Sequence, residues 1–236
     1  MNDNLRIGGE RVNNEADEIA FRCQAGEKDG VQGVWWLRYI ALVRRRSFKI
    51  WIQALPDRFV KNDGQGGGGA LSVEELVAAF RLNTLTPVLI PRSVCHTDSA
   101  KAYNRLGVLV WPERLGDFQS TELFQEREPF VQFQFVHTTC LHKKGKGKRV
   151  AYAPERKITF WDGEEREVLA GTQYVDGFWP FVRRTIGRKA VNTGLSFSEQ
   201  RFWLHANVRF AQWRYWFLDQ NRFEIYGSYL KLARAA

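Results

Sequence analysis

The N-terminal part of the chain begins with a polar segment and then alternates between apolar and polar residues. Residues 1–14 are polar and predict a tail or a loop. Glu15–Arg22 follows with an alternation that places Asp17, Ile19 and Phe21 on one face of a predicted strand. An acid beside two large apolar residues is not a typical solvated carboxylate, although a position at the frayed end of the strand, in water, also fits the pattern.

Two apolar runs, Trp35–Val43 and Phe48–Leu55, come next. They predict an antiparallel hairpin, which together with the first strand makes three strands in succession. Three consecutive arginines, Arg44, Arg45 and Arg46, lie at the predicted tip of this hairpin. Such a tip is usually a solvated turn, but beside a nucleic-acid groove the same side chains would contact phosphates.

The middle of the chain predicts shorter elements after a glycine-rich insert at residues 62–69. Ser72 and Glu75 have the spacing of a capping box, which predicts a helix over Val73–Leu82. Further apolar runs predict a strand at 94–97, a helix at 99–106, and strands at 108–111 and 130–137. Asp98 ends the first of these strands, where sites are usually built in mixed sheets, but it equally fits a plain cap of the next helix.

The segment Gly171–Ile186 has one apolar stripe at helical spacing. The stripe consists of Val175, Phe178, Trp179, Val182 and Ile186. Asp176, the only acid in the segment, lies beside this stripe. Pro180 lies inside it, and a proline in a helix interior costs about 3 kcal/mol. The helix is therefore expected either to begin near Pro180, leaving Asp176 on the entering turn, or to be kinked there.

A second capping box, formed by Ser196 and Glu199, predicts a last helix from Phe197 to about Gln220. This segment carries large apolar side chains nearly all round. They are Phe202, Val208, Phe210, Trp213, Tyr215 and Trp216. A helix without a polar face is expected to be buried or to form a homodimer.

Composition and charge narrow the class of protein. Hydrophobic residues make up 44% of the 236 residues, which favours a globular chain with a substantial core. The formal net charge of +9 favours a polyanionic partner, with nucleic acid first and an anionic membrane surface second. Three widely spaced cysteines and no apolar run of membrane-spanning length predict an intracellular protein, in the cytoplasm of a bacterium or the nucleus of a eukaryote.

Two clusters of cations are candidate phosphate contacts. The first is a glycine-containing basic loop made of Lys143, Lys144, Lys146, Lys148 and Arg149. Mobile lysines of this kind neutralise a nucleic-acid backbone without reading bases, although a solvated loop has the same composition. The second cluster, Arg183 and Arg184, follows Asp176 by about two helical turns.

The predicted order of elements fits an α/β fold of the ribonuclease H-like type, a mixed sheet flanked by helices, with extra C-terminal helices. In such a sheet the first strand and the strand ending at Asp98 can be neighbours, and a later helix can cross their ends. Asp17, Asp98 and Asp176 would then converge. Mg²⁺ prefers oxygen ligands in octahedral geometry, so we predict a two-ion Mg²⁺ or Mn²⁺ site there.

Three local sequences also resemble a known family. NEADEIAFR, VCHTDSAKAY and GTQYVDGFWPFVRR, around the three aspartates, are similar to the acidic motifs of DDE-type insertion-sequence transposases, and the ISXO-like group resembles them best. The resemblance implies metal-dependent DNA cleavage and strand transfer with Asp17, Asp98 and Asp176 as catalytic metal ligands. It also implies roles for His137 and His142, which fall where that group carries histidines ahead of its third acid.

The expected organisation is a tail at 1–14, a catalytic domain at 15–190 and a C-terminal helical extension at 191–236 that packs on the same domain. The expected partner is DNA, at transposon ends and target, with no small-molecule substrate and no membrane. Two alternatives remain open: a transposase-derived protein that binds nucleic acid without cutting it, and a nuclease of the same fold that cuts without joining ends. His137, Cys140 and His142 contain too few ligands for a zinc site without a partner pair elsewhere.

Overall fold

The computed structural model describes residues 6–61, 67–82, 87–90, 92–98, 100–106, 135–140, 153–160, 162–187 and 194–218. The strands in these ranges are β1 (Ile7–Gly8), β2 (Asn13–Lys28), β3 (Val31–Arg44), β4 (Ile50–Ala54), β5 (Arg58–Lys61), β6 (Leu89–Ile90), β7 (Val94–Asp98), β8 (Val136–Cys140), β9 (Glu155–Thr159) and β10 (Glu165–Leu169). The helices are α1 (Val73–Phe80), α2 (Gln173–Ile186) and α3 (Phe197–Trp216), and a 3₁₀ turn covers Tyr103–Arg105.

A mixed central sheet organises the described part of the chain. Its order is β4-β3-β2-β7-β8, and β5 pairs with the far end of β3. The first three strands in the chain that belong to it, β2, β3 and β4, are antiparallel, whereas β7 is parallel to β2 and β8 is parallel to β7. The predicted α/β class, with a mixed sheet and helices packed on it, is therefore confirmed.

Strand β3 shows why helices cover both faces of this sheet. Leu37, Tyr39 and Ala41 point to one side, where they join the buried side chains of α2 and α3. Ile40 and Leu42 point to the other side, where they join α1. Because alternate residues of a strand face opposite ways and both sets are apolar, each face needs a helical layer to exclude water. The sheet therefore lies between two cores.

Several elements differ from their sequence predictions. Ile7, expected in a polar tail or loop, is buried and belongs to β1, which pairs in parallel with β6. The helix expected at 99–106 is replaced, in its described residues, by the 3₁₀ turn. The strand expected at 130–137 begins at Val136 and ends at Cys140, and residues 108–111 and 130–134 lie outside the described part.

Helix α2 does not begin at Pro180, as one of the two predictions had it. It starts at Gln173 and continues through Pro180 to Ile186, so Asp176 lies in its first turn. The proline ring is exposed and contributes no backbone N–H to the helix. The buried stripe that includes Phe178 holds the helix on the sheet on both sides of the proline.

The last helix, α3, has a buried face and an exposed face. Leu204, Val208 and Ala211 join the core beneath α2, whereas Phe202 and Phe210 remain 77% and 50% exposed. The helix is therefore buried on one side only, and the alternative that its exposed side forms a homodimer stays a prediction. None of the helices in the described ranges combines the length and the apolar content needed to cross a bilayer.

Candidate functional site

Asp17 and Asp98 occupy equivalent positions on two neighbouring parallel strands. The last register pair between β2 and β7 joins Ala16 to Thr97, so the two aspartates are the next residues along their strands. Neighbouring strands lie about 4.8 Å apart, which brings the two backbones as close as a sheet allows. Since β2 runs from Asn13 to Lys28, Asp17 does not lie at a frayed strand end.

Asp98 lies at the end of its strand, as predicted, but it does not cap a regular helix, because the helix expected after it is absent from the described residues. Asp98 is the last residue of β7, at the carboxyl end of this inner strand. Its carboxylate also caps the following turn, because Oδ1 accepts a hydrogen bond from the backbone N–H of Ala100 at 2.9 Å. The cap fixes the side chain while it remains partly exposed.

Asp176 belongs to α2, which packs on the sheet, and lies near Asp17. The hydroxyl of Thr172 donates a 2.9 Å hydrogen bond to its Oδ2, which orients the carboxylate at the start of α2. The charges of Asp176 and Asp98 both raise the pKa of Asp17, after the larger effects of burial and of Glu18. The three predicted aspartates are therefore near enough to interact electrostatically.

A buried acid that sequence reasoning missed, Glu15, attaches α2 to β2. Its side chain is fully buried, and Oε2 accepts hydrogen bonds from the backbone N–H groups of Tyr174 and Val175 at 2.6 and 3.1 Å. These are among the N–H groups that a helix start leaves without an intrahelical acceptor, and a negative charge there is also favoured by the helix dipole. Oε1 of Glu15 accepts from Nε of Arg45 at 2.6 Å.

Arg45 completes this attachment from the hairpin between β3 and β4. Its guanidinium donates to the backbone carbonyl of Gly171 at 2.8 Å and also to that of Leu169. This guanidinium therefore binds Glu15 and the segment that enters α2, a role that the sequence did not predict. The predicted phosphate contact of Arg45 stays a prediction. Long-range pairing of this kind is invisible in a local sequence window.

Asp17 makes the second contact between β2 and α2. The indole N–H of Trp179 donates a 2.8 Å hydrogen bond to Oδ2 of Asp17. Glu15 and Asp17 are two residues apart and share a strand face, so the start of α2 and its second turn are each held by one carboxylate. The period-2 pattern that placed Asp17 beside Ile19 contained the information that would have identified Glu15 as well.

The electrostatic state of Asp17 differs from that of an ordinary carboxylate. The pKa of this side chain is raised to about 8: burial is the largest cause, repulsion from Glu18, Asp176 and Asp98 adds to it, and the Trp179 hydrogen bond opposes it. At neutral pH the side chain therefore holds a proton. A nearby cation would favour the charged form and release that proton.

Glu18, the next residue on β2, faces the opposite side of the sheet. It accepts a 2.6 Å hydrogen bond from the hydroxyl of Tyr103, a residue of the core beneath α1. Burial raises the pKa of Glu18, and repulsion from Asp98 adds to the rise while Tyr103 opposes it. Asp98 thus interacts with acids on both faces of β2.

The structure does not bring His137 to the aspartates. Its Nε2 lies 2.9 Å from the hydroxyl of Thr97, and its register partner Cys95 belongs to the α1-side core. Burial lowers the pKa of His137 to about 4, so the ring is neutral at pH 7. Cys140 is the register partner of Asp98 instead, and its buried thiol lies close enough to Asp176 for the acid to raise its pKa, after the larger effect of burial. His142 lies outside the described residues.

The donor chemistry of this acidic site fits a divalent cation. Carboxylate oxygens are the protein ligands that Mg²⁺ and Mn²⁺ prefer. Burial is the main reason that the pKa of Asp17 is raised, and the charges of Glu18, Asp176 and Asp98 add to the rise. Within the described ranges, however, no three His, Cys, Asp or Glu side chains already stand in an arrangement that would hold a metal ion. Asp17, Asp98 and Asp176 form an acidic cluster rather than a finished coordination shell.

The remaining predicted DNA contacts divide into two groups. Arg44, Arg46, Arg183 and Arg184 are exposed, the last two in the final turn of α2. The basic loop of Lys143, Lys144, Lys146, Lys148 and Arg149 lies outside the described residues.

Comparisons with protein-family models, with curated protein sequences and with solved structures each gave no match.

Proposed function

We propose that this protein is a metal-dependent polynucleotidyl transferase that cleaves DNA and joins strands, with Asp17, Asp98 and Asp176 as its catalytic carboxylates. The observation that carries the proposal is that Asp17 and Asp98 are adjacent on neighbouring parallel strands, with Asp176 near enough for its charge to raise the pKa of Asp17, although about 80 residues separate each acid from the next along the chain. A purely structural role does not explain why Glu18, Asp98 and Asp176 lie around the buried carboxylate of Asp17.

The topology supports a ribonuclease H-like fold for this domain. Three antiparallel strands followed by two parallel ones, in the order β4-β3-β2-β7-β8, match the arrangement that the resemblance to DDE-type transposases implies. The three acids then occupy the first central strand, its parallel neighbour and a helix that packs on the first of these strands. Sheet ends of this kind are usual positions for sites in mixed sheets.

The residues of the chain have separable tasks in this proposal. Asp17, Asp98 and Asp176 would hold Mg²⁺ or Mn²⁺, which when bound activates a water or a DNA 3′-hydroxyl and stabilises the leaving oxygen. Trp179 keeps the Asp17 carboxylate oriented. Glu15 and Arg45 fix the start of α2, and through it the position of Asp176. Arg183 and Arg184, both exposed, would contact backbone phosphates.

A second candidate is a nucleic-acid-binding protein that has kept this fold without the reaction. Two observations favour it: the described residues contain no ready three-ligand metal group, and Oδ2 of Asp17 is already occupied by Trp179. This alternative predicts salt-sensitive DNA binding that needs no divalent metal. It also predicts no change in binding when Asp98 loses its charge.

The two candidates separate in a nicking and strand-transfer assay. Supercoiled plasmid and labelled duplex oligonucleotides would be incubated with the native protein in Mn²⁺, Mg²⁺ or EDTA. Asp98→Asn is the test variant, and Asp29→Asn is its matched control, because Asp29 is exposed at the β2–β3 turn and Asn tolerates its positive φ.

We expect metal-dependent cleavage that falls about 1,000-fold in Asp98→Asn, which corresponds to about 4 kcal/mol of transition-state stabilisation. Asp29→Asn should cleave like the native protein. Equal cleavage by both variants would remove Asp98 from the mechanism. DNA binding in EDTA together with no cleavage in either metal would establish the second candidate.

A further inference from the structure

A cavity lined by arginines lies at the start of β2, before Asp17 on the same strand. Its volume is about 620 Å³, and it is bounded by the start of β2, the β3–β4 hairpin, strand β10 and the start of α2. Four arginines line it. They are Arg44, Arg45, Arg46 and Arg166. Glu167 is the only acid in the lining.

Two of these arginines are fixed in place by the protein. Arg45 is held by the buried Glu15 and by two backbone carbonyls. Arg166 pairs with Glu164 at 3.1 Å, and its guanidinium lies over the ring of Phe160 at 5.2 Å. Because these side chains are already ordered, a ligand that contacts them incurs less of the usual entropy cost.

The other two arginines provide charge without an acidic partner. Arg44 and Arg46 are exposed at the hairpin tip, and neither makes an ion pair with a described residue. Arg46 has a φ of 58°, a left-handed conformation that closes the tight turn and presents its side chain at the mouth of the cavity. The hairpin therefore places two cations, neither paired with an acid among the described residues, beside a cavity that Arg45 and Arg166 also line.

We propose that this cavity binds backbone phosphates of a nucleic acid, at a site separate from the aspartates. The guanidinium group is planar, permanently charged and suited to two parallel hydrogen bonds with a phosphate. A net charge of +9 favours a polymeric anion over an isolated small one. Asn13 lines the cavity and Asp17 lies four residues further along β2, which is about 13 Å at 3.3 Å per residue.

This site needs no divalent metal, so it can be tested apart from the proposed reaction. Binding of a fluorescein-labelled single-stranded oligonucleotide would be measured by anisotropy in EDTA, over a range of salt concentrations. The test variant is Arg44→Gln/Arg46→Gln, which keeps the aliphatic stems and removes two charges. The matched control is Arg22→Gln/Lys61→Gln, which removes two exposed charges at the far end of the β2–β3 ribbon.

We expect the test variant to bind at least 10-fold more weakly at low salt and to lose about 1.4 from the slope of log affinity against log salt, two single-strand phosphate contacts at about 0.7 each. The control should weaken binding by no more than about 3-fold. Equal losses in both variants would overturn the site, since general charge would then explain them.

Two further arms identify the ligand and isolate the inference from the proposed function. Excess inorganic phosphate should displace the oligonucleotide only at millimolar concentrations. Tight binding of phosphate with no measurable oligonucleotide binding would contradict a nucleic-acid site. Asp29→Asn, an exposed site outside both proposed sites, should bind the oligonucleotide in EDTA like the native protein. Because EDTA removes the divalent ion, failure of the cleavage assay would leave this binding result unaffected.

Discussion

Glu15 and Asp17 stand two residues apart on the same face of β2, and burial raises the pKa of both, yet the two carboxylates have different partners. Glu15 receives Arg45 and two helix N–H groups, which together satisfy both of its oxygens. Asp17 receives one indole N–H and is surrounded by other acids. At the start of α2, Glu15 and its partners form a structural contact. At the second turn of α2, Asp17 belongs to an acidic cluster in which negative charges predominate. The contrast distinguishes a carboxylate used for folding from one available for chemistry.

The largest expected effect on the free energy of unfolding comes from breaking the contact of Glu15 with Arg45 and the start of α2. Glu15→Ala should lower the free energy of unfolding by about 3–5 kcal/mol, because it leaves the nearly buried Arg45 unpaired and the start of α2 without its acceptor. Urea unfolding at pH 7 measures the change. Glu10→Ala, the removal of an exposed acid, is the control and should change stability by less than about 0.5 kcal/mol. A loss below about 1 kcal/mol for Glu15→Ala would show that the contact of Glu15 with Arg45 and α2 does not stabilise the fold.

Neutralising Asp17 should raise the free energy of unfolding at high pH rather than lower it. Its folded-state pKa of about 8 exceeds the ordinary value of 3.8, so the native protein keeps a proton that the unfolded chain releases, and stability falls as the pH rises toward and through 8. In EDTA, Asp17→Asn should therefore stabilise the protein at pH 9 by about 2–4 kcal/mol and change it little at pH 5.

Glu15→Gln provides the matched comparison, since it makes the same chemical change two residues away. We expect it to destabilise the protein at both pH values, because the ion pair with Arg45 is lost. Equal effects of Asp17→Asn at pH 5 and pH 9 would mean that Asp17 titrates normally.

Trp179→Phe should have a smaller effect that is specific to Asp17. Loss of the indole hydrogen bond costs about 1 kcal/mol and moves the pKa of Asp17 upward, because that bond opposes the effect of burial. Trp51→Phe is the control: Trp51 is fully buried, and its indole N–H has no hydrogen-bond acceptor within the described residues. The pH at which stability declines should rise in Trp179→Phe alone. A similar rise in both variants would assign the effect to packing.

The smallest effect on stability is expected for the exposed arginines at the end of α2. Arg183→Gln/Arg184→Gln should change the free energy of unfolding by less than about 0.5 kcal/mol while weakening DNA binding several-fold. Arg45→Gln, by contrast, should cause a large loss of stability, because it breaks the ion pair with the buried Glu15. Equal stability losses in the two variants would remove the distinction between structural and phosphate-binding arginines.

Local sequence patterns were sufficient for much of the fold. The capping boxes at Ser72 and Ser196 are both present, because each needs only residues within one helical turn. The alternation around Ile19 correctly predicted which face of β2 is buried. The strand that ends at Asp98 was predicted from another local pattern, a short apolar run. Its residues are buried on both faces of the sheet.

Features that depend on distant partners could not be predicted. The length of α2 depends on a buried stripe whose packing outweighs the cost of Pro180, which no propensity scale contains. The role of Arg45 depends on Glu15, 30 residues away, and on carbonyls more than 120 residues away. His137 was associated with the site by resemblance, but the direction of its side chain is set by the pairing of β7 with β8.

The most direct test of the acidic site is calorimetric titration with Mn²⁺ at pH 7 in buffers of different ionisation enthalpy. The native protein should bind the ion and release close to one proton, because Asp17 must give up its proton to become a ligand. Asp98→Asn should bind at least 10-fold more weakly, Asp17→Asn should bind weakly and release no proton, and Asp29→Asn should match the native protein. Binding without proton release, or equal binding by the native protein and Asp98→Asn, would contradict a metal site built on these aspartates.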